Sequence, residues 1–230
     1  MKKTLMVGIL SAAFVSPAVF AQAKNFEGFG IQLSTGYQNN QVKGSDLKVD
    51  GVPVSQFGVG VSNSSKGEMP LNIGVGYTFA LSEKFTLGAL VEYNPLQMNA
   101  GNATLTFDGV KSTDPLDTLN TKLKNQVSVS LVPGYSFNDS TMGYVRVGWI
   151  NATATAKASD GSGFSKNTNG AIFGLGAKHL FTKNVFGYAE ATYSTYSGSN
   201  SSFTETSGAV ISSKLTPSSY SFLVGVGARF

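Results

Sequence analysis

The chain closes on Ser219 to Phe230, S-Y-S-F-L-V-G-V-G-A-R-F. Tyr220, Phe222, Val224, Val226, Ala228 and Phe230 fall on one side of a period-two strand, and Ser221, Leu223, Gly225, Gly227 and Arg229 on the other. One face suits lipid; the other suits a polar, crowded interior. The same alternation recurs upstream. Gly28 to Gln38 sets Phe29, Ile31, Leu33, Thr35 and Tyr37 against Gly30, Gln32, Ser34, Gly36 and Gln38, and Leu71 to Leu81 puts Ile73, Val75, Tyr77 and Phe79 on its apolar side. A third strand follows after only Ser82-Glu83-Lys84, with Phe85, Leu87, Ala89, Val91 and Tyr93 outward. Gln126 to Phe137 is the fourth. Its Pro133 lies on the apolar face and has no N–H for a ladder, which predicts a bulge or a local break there. Asn138-Asp139-Ser140 turns the chain into a fifth strand with Val145, Val147 and Trp149 outward, and the turn Thr182-Lys183-Asn184 joins Ala171 to Phe181 with Val185 to Thr195. The terminal strand is then the eighth.

The remaining connections are long: Asn39 to Pro70, Asn94 to Asn125, Ala154 to Asn169 and Ser197 to Ser218. They are rich in Ser, Thr, Asn and Lys. Three carry a hairpin signal, because Asp50-Gly51, Asp108-Gly109 and Asp160-Gly161 sit where an Asp-Gly pair favours a type I′ turn, so the strands can continue as ribbons beyond the alternating core. In the second connection Asp114-Pro115-Leu116-Asp117 offers an N-cap followed by Pro at the first helical position, which predicts one or two helical turns before Lys122.

Charged residues make up only 13% of the sequence, where about a quarter is usual for a soluble domain, and no segment has the unbroken apolar length of a spanning helix. An apolar exterior built without apolar runs leaves a closed barrel of alternating strands as the membrane architecture. The fold expected is all-β: an eight-stranded antiparallel transmembrane β-barrel with four long extracellular loops and short periplasmic turns. The start of the chain agrees with export. Lys2 and Lys3 precede the apolar run Leu5 to Val15, and Ala21-Gln22-Ala23 is an A-x-A site, so residues 1–23 read as a Sec signal and residues 24–230 as the barrel domain. The formal charge of +4 falls to +2 once Lys2 and Lys3 are removed, and no lysine cluster marks a nucleic-acid partner. The absence of cysteine excludes disulfides, thiolate metal sites and a lipidated Cys.

The outward aromatics predict two girdles. Phe79, Phe85, Phe137, Phe181 and Phe230 sit beside the short turns, and Tyr37, Tyr93, Trp149, Tyr193 and Tyr220 towards the long loops. Phe85 to Tyr93 is eight residues, about 26 Å along a strand or roughly 20 Å vertically at a tilt of ~40°, close to the apolar band of an outer membrane.

On the inward faces small and large residues alternate around the ring. Gly74 and Gly76, Gly174 and Gly176, and Gly225 and Gly227 face Glu92, Tyr144 with Arg146, and Tyr188 with Glu190 on the intervening strands. None of the glycine pairs has the third glycine or the following helix of a dinucleotide site, so no cofactor is expected. Glu92 and Glu190 lie two strands to either side of Arg146, which predicts a structural ion network in the lumen, with Lys178 and Arg229 also pointing inward near the periplasmic end. Hydrolytic barrels need a His paired with Ser or Asp; the single histidine, His179, sits on the lipid side with Phe181 where a Ser would be required. No catalytic or metal residue is therefore assigned.

The signal, the alternation of short turns and long loops, and the terminal Phe230 together make the chain resemble the small OmpA-like and opacity-type, porin-like outer-membrane barrel proteins of Gram-negative bacteria. The resemblance implies an outer-membrane location with both termini periplasmic, and contact with outer-membrane lipid and lipopolysaccharide. It also implies recognition of Phe230 and the alternating Ala228, Val226, Val224 and Phe222 by the barrel assembly machinery. The expected role is envelope structure or surface adhesion through the loops, with a possible surface or host ligand. A narrow conduit for small, apolar solutes and an enzyme acting on outer-leaflet lipid are the alternatives.

Overall fold

The computed structural model describes residues 21–43, 48–50, 59–107, 110–114, 118–158, 163–197, 199–204 and 210–230. Residues 1–20 of the expected signal, Gly51 and the Asp108-Gly109 and Asp160-Gly161 pairs lie outside the described residues.

A short helix α1 (Ala21–Lys24) leads into fourteen strands: β1 (Gly28–Lys43), β2 (Lys48–Asp50), β3 (Val59–Val61), β4 (Ser64–Glu68), β5 (Leu71–Ala80), β6 (Phe85–Asn94), β7 (Met98–Phe107), β8 (Val110–Lys111), β9 (Thr118–Ser136), β10 (Thr141–Ala158), β11 (Gly163–Leu180), β12 (Val185–Tyr196), β13 (Ser199–Thr204) and β14 (Val210–Arg229). Eight of them close a ring of antiparallel pairs in the order β1, β5, β6, β9, β10, β11, β12, β14 and back to β1. Closure leaves no edge within this ring. The seam pairs Gly30 with Arg229 at one end and Lys43 with Thr216 at the other.

Each short turn is held by its own first side chain. Ser82 Oγ accepts from the Phe85 amide at 3.2 Å, Asn138 Oδ1 from the Ser140 and Thr141 amides at 3.0 and 2.8 Å, and Thr182 Oγ1 from the Asn184 and Val185 amides at 3.2 and 3.0 Å. Asn, Ser and Thr favour turns because their side chains can satisfy these amides.

At the other end the walls run further than the alternation predicts. β10 and β11 stay paired from Thr141↔His179 to Lys157↔Gly163, and β9 begins at Thr118. Beyond the kink at 95–97, β7 takes over from β6 as the partner of β9, while β4 takes over from β5 as the partner of β1. The barrel therefore continues as a raised extension.

The strand predicted from Gln126 begins earlier, at Thr118, and above Gln126 simple alternation no longer gives each side chain's face. Asn125 has φ 50° and the β9–β10 register shifts between Asn151 and Thr153, so one extra residue in β9 reverses the parity above it. Val127 and Val129 face out below the bulge; above it Leu123 and Thr121 are buried inside, and Lys122 and Lys124 take the outward positions. The helical turns expected before Lys122 are corrected by the same geometry. Thr118 to Lys122 is strand, paired with both β7 and β10. Pro133 interrupts without bulging: the β9–β10 pairs cease between Tyr144↔Gly134 and Val147↔Leu131 and resume in the same register.

Candidate functional site

The site is the filled lumen, and its filling follows from the strand pairing. Gly176 lies opposite Tyr144, and a Cβ at Gly176 would stand 2.5 Å from the Tyr144 ring; Gly225 and Gly227 likewise seat the rings of Tyr188 and Phe186. Small residues on one wall thus make room for large ones from the next.

Arg146, on β10, is wholly buried at the centre. Its Nη1 donates to Glu92 Oε1 of β6 at 3.2 Å and to Glu190 Oε1 of β12 at 2.9 Å; its Nε donates to Ser130 Oγ at 3.1 Å and its Nη2 to Ser128 Oγ at 2.8 Å. Two carboxylates converge on one guanidinium nitrogen, and two hydroxyls give the other two nitrogens a partner each. Partners of this kind are what allow charge to be buried. Ser128 and Ser130 were visible in the sequence only as the polar half of V-S-V-S, since nothing there fixes which serines reach an arginine on the neighbouring strand.

Lys178 and Arg229 do not join this network, which corrects the expectation that grouped them with it. Lys178 Nζ lies 4.3 Å from the centre of the Phe186 ring and makes no ion pair among the described residues. Arg229 sits at the rim, where its Nη1 donates to the Glu27 carbonyl at 2.6 Å, its Nε to the Lys183 carbonyl at 3.2 Å and its Nη2 to that same carbonyl. Pointing inward placed both residues correctly. At their height neither makes an ion pair with a carboxylate among the described residues, although both line the cavity that Glu190 also lines.

Apolar layers close the lumen on both sides of Arg146. On the short-turn side Phe26 is buried with Met142 and Tyr144, against Val132 and Leu180. On the long-loop side Met98, Leu123, Ile150, Ala152, Ile172 and Tyr196 form a second cluster. Beside it runs an amide chain in which Gln38 Nε2 donates to Asn40 Oδ1 at 2.7 Å and Tyr196 Oη to Gln126 Oε1 at 3.2 Å. Cavities of about 60, 30 and 30 Å³ remain: one within the Phe26 layer and reaching Glu190, one beside Arg146, and one in the extension.

On the exterior all ten girdle positions are exposed, from 37% for Tyr220 to 73% for Phe230, and Val224, Val226 and Phe222 beside the terminal Phe230 are exposed as well. His179 is also on this outer face. Its Nδ1 lies 2.9 Å from Thr141 Oγ1, a hydroxyl contributed by the facing strand that sequence spacing could not reveal, and its ring meets Phe181 edge-on. Among the described residues no helix is long and apolar enough to cross a membrane.

A closed ring of eight strands, apolar outside and polar and filled within, defines a transmembrane barrel. Residues 7–230 match the family model of the outer membrane protein beta-barrel domain, and the chain belongs to that family. It is an outer-membrane protein of the Gram-negative type. A curated relative, Outer membrane protein P1 of Coxiella burnetii, is 25% identical over 220 residues, covering 87% of this chain and 82% of the relative. Among solved structures, Neisserial surface protein A shares the fold with a TM-score of 0.50 at 15% identity, covering 88% of this chain and 97% of the other. OprG of Pseudomonas aeruginosa gives a TM-score of 0.49 at 14% identity over 89% and 97%.

Proposed function

We propose that this barrel acts through its raised extension and not through its bore, in envelope structure or in adhesion to a surface ligand, and that it is not an enzyme. One observation carries the proposal: the lumen is occupied at successive heights by the Phe26 layer, the Arg146 network and the Met98 layer. An eight-stranded barrel is only wide enough for side chains to fill it, and here buried ones do. The long-loop ends, by contrast, are built into ordered walls whose strands continue well past the outer girdle. That end faces the outside and the chain termini face the periplasm. Against catalysis stands the outward placement of His179 and Thr141, on the lipid side with no carboxylate bonded to the ring.

The test pairs bilayer conductance of the refolded protein with surface binding by cells carrying shortened Asp50-Gly51 and Asp108-Gly109 connections. No steady channel and reduced binding are expected. A stable open conductance with unchanged binding overturns the proposal in favour of a conduit. Trypsin treatment of intact cells reports orientation separately, with cleavage expected in the extension.

A further inference from the structure

The wall is closed through the membrane but parts above it. The β11–β12 ladder ends at Gly170↔Tyr196; just beyond, the Asn169 carbonyl accepts from the Ser197 amide at 2.6 Å and Thr168 Oγ1 donates to the Ser197 carbonyl at 2.9 Å. Continuing that register would set Ser199 opposite Asn167 and Ser201 opposite Ser165, yet among the described residues β13 pairs with β14 alone. The cause is one extra residue. Against β14 the register moves from Thr195↔Ser218 to Ser199↔Leu215, four steps on one strand for three on the other, and such a bulge bends its strand away. β11 itself stays straight and paired with β10 up to Lys157↔Gly163, so its other edge, from Asn167 to Gly163, has no strand beside it among the described residues.

Backbone parity says which groups lie on that edge. In an antiparallel strand the N–H and C=O of one residue point to the same side, and the side alternates along the chain. The Leu180 amide donates towards the β10 side, to the Ser140 carbonyl at 2.7 Å, whereas the Asn169 carbonyl faces the opposite way, to Ser197. The β10–β11 register does not shift, so Asn167 and Ser165 present both backbone groups to the open edge while Lys166 and Thr168 direct theirs to β10. Neither proline nor bulge blunts the edge between Gly163 and Asn169. Asn167 pairs with Thr153, four residues beyond the girdle residue Trp149, roughly 10 Å higher for a strand tilted by ~40°, which sets the edge clear of the apolar band. Behind it lies the apolar cavity of the extension, about 30 Å³, lined by Thr168, Ala154 and Ala156 from one wall and by Val42 and Pro217 from the other.

We propose that the open edge of β11 docks an extended polypeptide segment of another molecule, which adds a strand beside Asn167 and Ser165 and turns small apolar side chains towards the cavity. This rests on the reading that the extension is the working part, and it gives that part a class of ligand. Geometry selects the occupant. Two copies in one membrane raise β11 in the same sense with opposed tilts, so their edges would cross at about 80°, twice the usual ~40°, and form no ladder. A folded domain does not fit between walls that meet at Asn169 and Ser197, whereas a single extended chain does. Main-chain bonds then supply the affinity, and the cavity selects small side chains at alternate positions.

The test uses the full-length protein refolded in phosphatidylcholine nanodiscs and, as probe, a dye-labelled short peptide alternating serine and valine, followed by fluorescence anisotropy. Wild type is expected to bind it saturably, and to lose the same peptide once its backbone is N-methylated at alternate residues, because methylation removes the donors a ladder needs. The variant Ser165→Pro/Asn167→Pro removes N–H donors that face the open edge and none that face β10, so folding on heat-shift gels is expected to persist while affinity falls on the order of tenfold. Ser165→Ala/Asn167→Ala is expected to bind like wild type. Absence of saturable binding by wild type, equal binding of the methylated peptide, or wild-type affinity in the proline variant each overturns the proposal. If the proline variant does not fold, the methylated peptide on wild type decides alone. Clustering of nanodiscs without peptide, abolished by the prolines, also overturns it, by assigning the edge to a copy on a facing membrane. The titration needs no cell and leaves the Asp50-Gly51 and Asp108-Gly109 connections intact, so its failure and a failure of the conductance or adhesion result are distinct.

Discussion

Arg146 is the largest side chain fully buried in the described molecule, and each of its donor nitrogens has a partner. Replacing it with Ala leaves Glu92 and Glu190 facing each other without a cation, a loss of about 3–5 kcal/mol for a broken buried pair. The expected result is a clearly lower urea midpoint for Arg146→Ala than for Lys111→Ala; equal midpoints would remove the network from the account of stability. Lysine is a poor substitute, since a single ammonium cannot serve two carboxylates and two hydroxyls in that fork. These three residues were legible because strand parity fixes the inward face and strand order fixes which walls adjoin. Lys178 and Arg229 were misassigned for a reason of the same kind. Parity says nothing of height, and at their height the available partners are the Phe186 ring and the carbonyls of Glu27 and Lys183.

Strands were read well where alternation is uninterrupted and poorly where a bulge resets it. In the sequence Leu123 keeps the parity of Val127 and Val129, which would set it outward and Lys122 and Lys124 inward; the extra residue in β9 at Asn125, in positive φ, reverses all three. Deleting Asn125 should therefore leave Leu123 inside and Lys122 and Lys124 outside in an unbulged strand, and Asn125→Gly keeps the count and the positive φ, whereas one further residue inserted there would throw Leu123 outward. The expected outcome is folded protein on heat-shift gels for the deletion and the glycine variant and loss of it for the insertion; a deletion that fails to fold while the insertion folds would place the bulge elsewhere. The terminal strand carries a prediction about biogenesis. Phe230 is the most exposed of the girdle aromatics, at 73%, and its amide still donates to the Phe29 carbonyl at 2.8 Å across the seam. Phe230→Ala is expected to leave precursor in the periplasm, as measured by fractionation, while the pure protein still refolds in detergent. Normal surface levels of this variant would show that the assembly machinery does not read the residue.

Across the whole molecule the barrel class was legible from composition and periodicity together, because low charge without apolar runs admits few membrane solutions. The extension and the two apolar layers were not. Met98 lies in a connection and Ile172 on the inward side of a predicted strand, and only closure of the ring brings them together with Leu123, Ile150 and Tyr196. Phe26 lies outside every strand and acquires its place as a stopper from the fold alone. Stoppers at both ends have a consequence for the cell that carries them. If the bore is closed as proposed, the barrel can be inserted at any density without raising the leak across the envelope, so its copy number is bounded by membrane area and secretion capacity. Overexpression of the wild type is accordingly expected to leave uptake of a small hydrophilic dye unchanged. A variant in which Phe26 and Met98 are both cut back to alanine should make uptake rise with dose.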